Sequence, residues 1–585
     1  MTQPWWKGAT IYEVYIRSFF DSTGDGIGDL YGIASKLRYI QRLGVDAIWI
    51  TPFFRSPMND FGYDVEDYES VAEEFGSIDD FDYLVRKAHE LGLKVLIDQV
   101  WGHTSSAHPW FRKSRRSCLN QKANWYVWHS AGKEGSPPNN WFSFFGGPSW
   151  AWDATREQYY LHHFLDSQPA LNLHHPDVLE EILEIGRFWL DRGVDGFRLD
   201  AVPFYMHDPT FKNNPPRPVG EPAPDGFSPN LPSVRQVQKH NIAHPDLLEI
   251  LTEIRNVTDG YDDRVLLGEV AGEHSVQLAA KYTGPNKLHM AYNFGLLKTC
   301  SEPSEIVQLI RTALKEAPKS ALDEGRICWA IGNHDVARVF TRWGGENIGD
   351  RHQQQAFSKL VMAVQLTLPG GACIYQGEEL GLPQVDLPYR QLKDPYDRSL
   401  YPNHQGRDGC RTPIPWKSDS QYAGFTSSKK KKPWLPVSDD HVDLAVAVQD
   451  REANLGSVLN AYRRFLRWRK AQPVLKSGSI RLVSVIGQDG AGESVLAYLR
   501  CLKKEAILLM FNFSPRATFL RIQCDGLPQQ LMANRHLKDI RTHDFHWVFQ
   551  GAGVRLDPFG LGIVSLPNSD QLEIHAQWQP EDPNS

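Results

Sequence analysis

Four short stretches put ionisable side chains where strands should end: Asp98 with His103 just beyond it, Arg198 with Asp200, Glu269, and Asn333-His334-Asp335. In Gly193-Val194-Asp195-Gly196-Phe197-Arg198-Leu199-Asp200, residues i and i+2 of a strand share a face, so Arg198 and Asp200 should point the same way. The cation then holds the carboxylate ionised, below its usual range. Glu269 follows the apolar run Val265-Leu266-Leu267-Gly268, where partial desolvation raises a carboxyl's pKa. An ionised carboxylate beside a protonated one is the equipment for attack on an acetal carbon with proton donation to the departing oxygen. Such a double displacement needs Asp200 and Glu269 to converge across about 5–5.5 Å. A third acid, Asp335, can stabilise an oxocarbenium-like transition state. His103 and His334 read as hydrogen-bonders to hydroxyl groups, because no metal-ligand spacing links them. One Arg–Asp pair alone would be an ordinary ion pair; three acids at three strand ends, beside a guanidinium and two imidazoles, argue for a site. No P-loop, G-x-G-x-x-G, HExxH or G-x-S-x-G pattern offers a competing chemistry.

Positioning acids at several strand ends requires strands whose ends share one face. Three times near the N-terminus the chain runs helix, glycine, short apolar strand, as in Ala88-His89-Glu90-Leu91-Gly92 before Lys94-Val95-Leu96-Ile97. Further strand candidates begin at 196, 265, 289, 327 and 373, and with those near 11, 47 and 94 they make eight, the number that closes a (β/α)8 TIM barrel. The barrel is expected over 1–103 and 170–471. It is interrupted by an inserted lid subdomain, 104–169, rich in Trp, Asn, Pro and Gly, and followed by an antiparallel β domain over 472–585.

A net charge of -7 gives no basic footprint for nucleic acid or anionic membrane. Seven scattered cysteines without a CxxC, and an N-terminus lacking a signal-like apolar run, suggest a reduced, cytoplasmic setting, as monomer or homodimer. The 18 Trp, 21 Tyr and 28 Phe suit both aromatic cores and the stacking faces of a sugar cleft. Near the N-terminus, Asp21, Thr23, Asp25, the Ile27 carbonyl and Asp29 alternate with glycines like the first part of a calcium loop, although Gly32 stands where an EF-hand has its closing glutamate. Two readings stand: a structural Ca2+ site, or an Asp/Gly turn without metal.

The stretches Asp98-Gln99-Val100-Trp101-Gly102-His103, Gly196-Phe197-Arg198-Leu199-Asp200, Gly268-Glu269-Val270 and Asn333-His334-Asp335 resemble, in that order, the four sequence regions of the α-amylase family of glycoside hydrolases. Ile11-Tyr12-Glu13-Val14-Tyr15, Gln376-Gly377-Glu378-Glu379-Leu380-Gly381 and the run from Gly406 to Trp416 are similar to its α-glucosidase and oligo-1,6-glucosidase branch. The resemblance implies a retaining exo-α-glucosidase without a catalytic cofactor, acting on small oligosaccharides or glucosides. Asp200 would be the nucleophile, Glu269 the acid/base and Asp335 the stabiliser. It also implies a glucose pocket of Asp60, Tyr63, His103, Phe164, Arg198, His334 and Arg407, with Phe145 at the rim. The residue after the nucleophile, here Ala201, is Val in α-1,6-specific members of that branch and Ala or Thr in α-1,4-specific ones, which implies maltose-like substrates, with transglucosylation besides. Oligo-1,6-glucosidase or sucrose-acting transglucosylase/isomerase activity is the alternative. Two departures stand out: Thr23 replaces a common Asn of the family's calcium loop, and the Pro- and Asn-rich region from Met206 to Arg235 is unlike the usual oligo-1,6-glucosidase.

Overall fold

The computed structural model describes residues 3–227, 229–402, 406–438, 441, 445–486, 491–524, 544–545, 547–550, 553–567 and 574–579. Eight parallel strands close into a barrel: β1 Thr10–Val14, β2 Ala47–Ile50, β3 Lys94–Gln99, β4 Gly196–Leu199, β5 Val265–Val270, β6 Met290–Asn293, β7 Ile327–Ala330 and β8 Gly371–Tyr375. Their near-unbroken apolar composition follows from burial on both faces, towards the barrel axis on one side and towards the helices on the other. The crossovers carry helices α1 Leu30–Leu43, α2 Ile78–Glu90, α3 Pro176–Asp191, α4 Leu247–Asp259, α5 Ser275–Tyr282, α6 Pro303–Glu316 and α7 Arg351–Thr367, and α8 Val458–Lys470 follows β8.

Local signals set the helix ends. Ser77 and Asp80 form a reciprocal capping box on α2, whose Phe81, Leu84, Val85 and Ala88 are buried. The α3 helix buries Ile182, Ile185 and Trp189, and Gly193 takes the left-handed conformation just beyond its end, at φ +91°. The chain thereby turns directly into β4.

Between β3 and α3, the segment 104–169 forms a three-stranded antiparallel sheet of Trp128–His129, Trp150–Asp153 and Gln158–Leu161, over an aromatic cluster that includes Trp141 and Trp150. It hangs over the barrel mouth and is stitched to β3's outlet by a bridge between His103 and Ala170. The long connection after β8 carries the expected lysine run, Lys429 to Lys432, exposed to solvent. Beyond α8 lie a four-stranded antiparallel sheet and a five-stranded sheet that is antiparallel except where Val485–Ile486 pairs with Ile574–Gln579. Among the described residues, no helix is long and apolar enough to cross a membrane.

The Asp21 loop is braced by its own backbone. Asp21 accepts from the amides of Gly24 and Gly26, Asp25 from that of Ile27, and Asp29 from those of Ser22, Thr23 and Gly32, the last capping α1. The carboxylates thus tie down the loop's own N–H groups. No group of three or more His, Cys, Asp or Glu side chains placed to hold a metal occurs among the described residues.

Candidate active site

Barrel register decides which strand-end side chains meet. Asp98 of β3 is paired with Arg198 of β4, and Arg198 with Leu267 of β5, which sets Asp200 and Glu269 level with each other two residues further along. Gly196 permits the close approach of β4 and β5: at φ +151°, its missing Cβ would lie 2.0 Å from the Val265 carbonyl oxygen. Arg198 then becomes a hub. Its Nη1 donates to Asp98 and to Asp200, both at 2.8 Å, while its Nη2 lies 2.7 Å from Glu269 Oε2. The ring of Trp49 backs the guanidinium at 4.7 Å. Directly after Asp200 the chain turns through Ala201, held in the left-handed region at φ +42°, and this turn aims the Ala201 N–H at Glu269 Oε2, 2.7 Å away.

Asp335, after β7, is held separately. Arg411 Nη2 lies at 2.8 Å, Arg407 Nη1 at 3.3 Å and His334 Nε2 at 3.3 Å. Arg407 continues to Asp60 at 2.8 Å and to Asp394, and Phe145 covers its guanidinium at 4.9 Å. Gln168 donates to Asp60 and lies beside His103, whose ring stacks at an angle on Phe164.

The electrostatics correct one sequence expectation. Burial pushes the Asp200 carboxyl up, to about 7, against the pull of Arg198, so Asp200 is not held below the usual range. Desolvation raises Glu269 further, to about 8, again opposed by Arg198 and reinforced by the charge of Asp200. The order between the two acids therefore stays as expected, with Glu269 the last to lose its proton. Asp335 is the acid held low: burial pushes it up, but His334, Arg407 and Arg411 together outweigh that and keep it well below the ordinary carboxylate range. Burial keeps His103 and His334 neutral, at about 4 and about 3.

A cavity of about 740 Å³ opens at the C-terminal end of the barrel. Asp60, Tyr63, His103, Phe145, Phe164, Asp200, Glu269, Asp335 and Arg407 all line it, so residues from five separate connections and from β5 itself meet in one space. Arg198 and His334 stand one layer behind, each 1% exposed at the side chain. His334 is engaged there by Glu13 Oε1 at 2.5 Å and Tyr63 Oη at 2.8 Å. The Asp21 to Asp29 loop lies elsewhere. Sequence reasoning missed Gln168 and Asp394, which nothing in their local sequence marks, and Arg411, which lies within the Gly406 to Trp416 run. It also missed Glu13, whose signal was present as an acid inside a fully buried strand. Paired carboxylates of unlike proton affinity in one cavity, with charged and hydrogen-bonding side chains beside them, can cleave and form acetal bonds.

Comparison with known proteins agrees with this geometry. Residues 13–478 match the α-amylase catalytic domain. A probable α-glucosidase of Rhizobium meliloti (strain 1021) is 47% identical over 544 residues, covering 92% of this chain and 95% of that protein. The oligo-1,6-glucosidase of Parageobacillus thermoglucosidasius is 33% identical, covering 97% and 100%. Among solved structures, the α-glucosyl transfer enzyme XgtA superposes with a TM-score of 0.87 at 43% identity, covering 96% of this chain and all of that one. The trehalulose synthase MutB from Pseudomonas mesoacidophila MX-45 gives 0.79 at 30% identity, covering 97% and 100%.

Proposed function

Because the chain belongs to the α-amylase family of glycoside hydrolases, we propose that it is a retaining α-glucosidase that removes glucose from the non-reducing end of short α-1,4-linked glucosides such as maltose. The observation that carries this reading is the sharing of one guanidinium fork by Asp200 and Glu269 at the floor of a cavity whose inner end is closed by Asp60 and Arg407. Ionised Asp200 attacks the anomeric carbon from below while Glu269 gives its proton to the departing oxygen, leaving a glucosyl ester on Asp200. Glu269, now a carboxylate, takes a proton from water, whose oxygen displaces Asp200 and regenerates the acid pair. Asp335, ionised at every working pH, holds ring hydroxyls and offsets the positive charge that develops at the anomeric carbon.

The Asp60–Arg407 pair blocks extension of the sugar beyond one unit on the non-reducing side, which supports exo action. Ala201, small and beside the nucleophile, supports the α-1,4 preference. The likeness to an α-glucosyl transfer enzyme supports a second outcome for the same ester, in which another alcohol replaces water. The test is release of glucose from maltose, isomaltose and sucrose, with products separated by chromatography. Maltose turned over at least tenfold faster than isomaltose is the expected result; turnover of isomaltose alone would favour an oligo-1,6-glucosidase, and an isomerised disaccharide from sucrose the isomerase.

A further inference from the structure

One buried acid of the barrel takes no part in bond breaking. Glu13 of β1 is fully buried on the axis-facing side that it shares with Ile11, and its neighbours in register are Trp49 of β2 and Tyr375 of β8. Its Oε1 lies 2.5 Å from His334 Nδ1, and its Oε2 has no hydrogen-bond partner among the described residues. An ionised carboxylate with a bare oxygen inside a barrel is costly unless a cation answers it. Arg198 pulls in that direction, but it is shared among Asp98, Asp200 and Glu269, and burial pushes the Glu13 carboxyl well above its ordinary range.

The other ring nitrogen settles where the protons are. His334 Nε2 faces Asp335 Oδ2 at 3.3 Å and Tyr63 Oη at 2.8 Å. Asp335 is ionised, and the Tyr63 hydroxyl donates to Asp98 Oδ2 at 3.1 Å, so both present lone pairs to Nε2. A bare Nε2 would be repelled by both, whereas an N–H satisfies them. With Nε2 protonated, the neutral ring has only a lone pair at Nδ1, and the short contact with Glu13 then needs a proton from the carboxyl. The ring is also barred from turning, because Tyr15 and Tyr63 stack on it with ring centroids 5.7 and 5.4 Å away and Trp49 stands T-shaped to it at 6.0 Å. The consequence falls on Asp335. Arg407 and Arg411 both hold its Oδ1, while His334 faces Oδ2, so the imidazole N–H fixes the second oxygen of that carboxylate.

Resting on the α-glucosidase reading, we propose that Glu13 is a positioning residue whose proton, shared with His334 Nδ1, keeps Nε2 an N–H donor and so sets the Asp335 carboxylate for the developing oxocarbenium ion. Two protons serve the pair, one on Nε2 and one between Oε1 and Nδ1, and the pair is neutral as a unit. Neither proton leaves during turnover.

The test is steady-state kinetics on the α-glucoside turned over fastest, with melting temperatures measured on the same samples. Glu13→Gln keeps the shape and offers an amide N–H to Nδ1, so its kcat should stay within about threefold of the parent. Glu13→Met can neither give nor share a proton and should lower kcat by about 10–100-fold, the range for loss of a group that orients an imidazole. Its KM should change by less than about threefold, since the interaction lost is one made in the transition state. Glu13→Asp, one methylene short of Nδ1, should fall likewise and keeps the comparison open if the methionine variant does not fold. A double-mutant cycle separates positioning from packing: in a His334→Asn background, either substitution should cost no further kcat, because the partner through which Glu13 acts is gone. An unaltered kcat in Glu13→Met and Glu13→Asp, a Glu13→Gln enzyme as impaired as those two, or an equal loss in the His334→Asn background would overturn the proposal. A parent enzyme that releases no glucose from any α-glucoside would instead fail the glucosidase reading beneath it.

Discussion

Three acids within one cavity are driven to different protonation states by their neighbours. Asp200 and Glu269 share Arg198 and are both raised by burial, whereas Asp335 is held down by two arginines. Attack requires Asp200 ionised and Glu269 protonated. As pH rises, kcat/KM should therefore climb as the pair loses its first proton, at an apparent value of about 7, and fall as it loses the second, at about 8. A pH profile on maltose checks this, and a broad plateau from pH 4 to 6 would contradict it. With 4-nitrophenyl α-glucoside, whose leaving group needs little protonation, Glu269→Gln should abolish the alkaline limb of kcat/KM. Asp200→Asn should lower kcat by at least about a thousandfold, as loss of a nucleophile does, with an unchanged melting temperature. An active variant would remove the nucleophile from Asp200.

At the scale of elements, the strand β4 and the turn that follows it do most of the positioning. Gly196 lets β4 lie hard against β5, and the Ala201 turn then swings an N–H onto Glu269. Gly196→Ala should cost about 3–5 kcal/mol, the range of severe core strain, because a methyl group has no room against the Val265 carbonyl and the backbone conformation is one an L side chain rarely adopts. Denaturant unfolding measures it; a loss below about 1 kcal/mol would show that the strands can move apart. The barrel elements were legible in the sequence because buried parallel strands are short apolar runs bounded by glycines, and the helices between them carry a 3.6-residue apolar stripe. The depressed proton affinity expected for Asp200 failed for a physical reason: the sequence shows the neighbouring arginine but not the depth of burial, nor that Asp98 and Glu269 draw on the same cation.

Across the whole molecule, buried arginines fasten the layers. Arg469 of α8 donates to the carbonyls of Leu366 at 2.8 Å, Gly8 at 2.6 Å and Gly370 at 3.0 Å, joining the end of α7 to the entries of β1 and β8. Arg500 of the following sheet reaches the Thr367 and Gly478 carbonyls. Arg469→Met fills the volume but leaves three buried carbonyls without donors, so it should destabilise the protein by about 3 kcal/mol or more. The site lies at the opposite end of the barrel, so the kcat/KM of the remaining folded fraction should be unchanged. Unfolding curves and assays on the same samples would show both, and a variant as stable as the parent would refute the fastening role.

Residue type and local spacing were enough to determine the eight strands, the order of the acids along the chain and the class of chemistry they suit, because each is written in runs of a few residues. Contacts between distant segments were not. Only the folded barrel decided that Arg198 serves three carboxylates, that Gln168 and Arg411 join the site, and that His334 stands behind the cavity wall. Those outcomes depend on register between strands and on burial, quantities that exist only once residues hundreds of positions apart have excluded water from the same space.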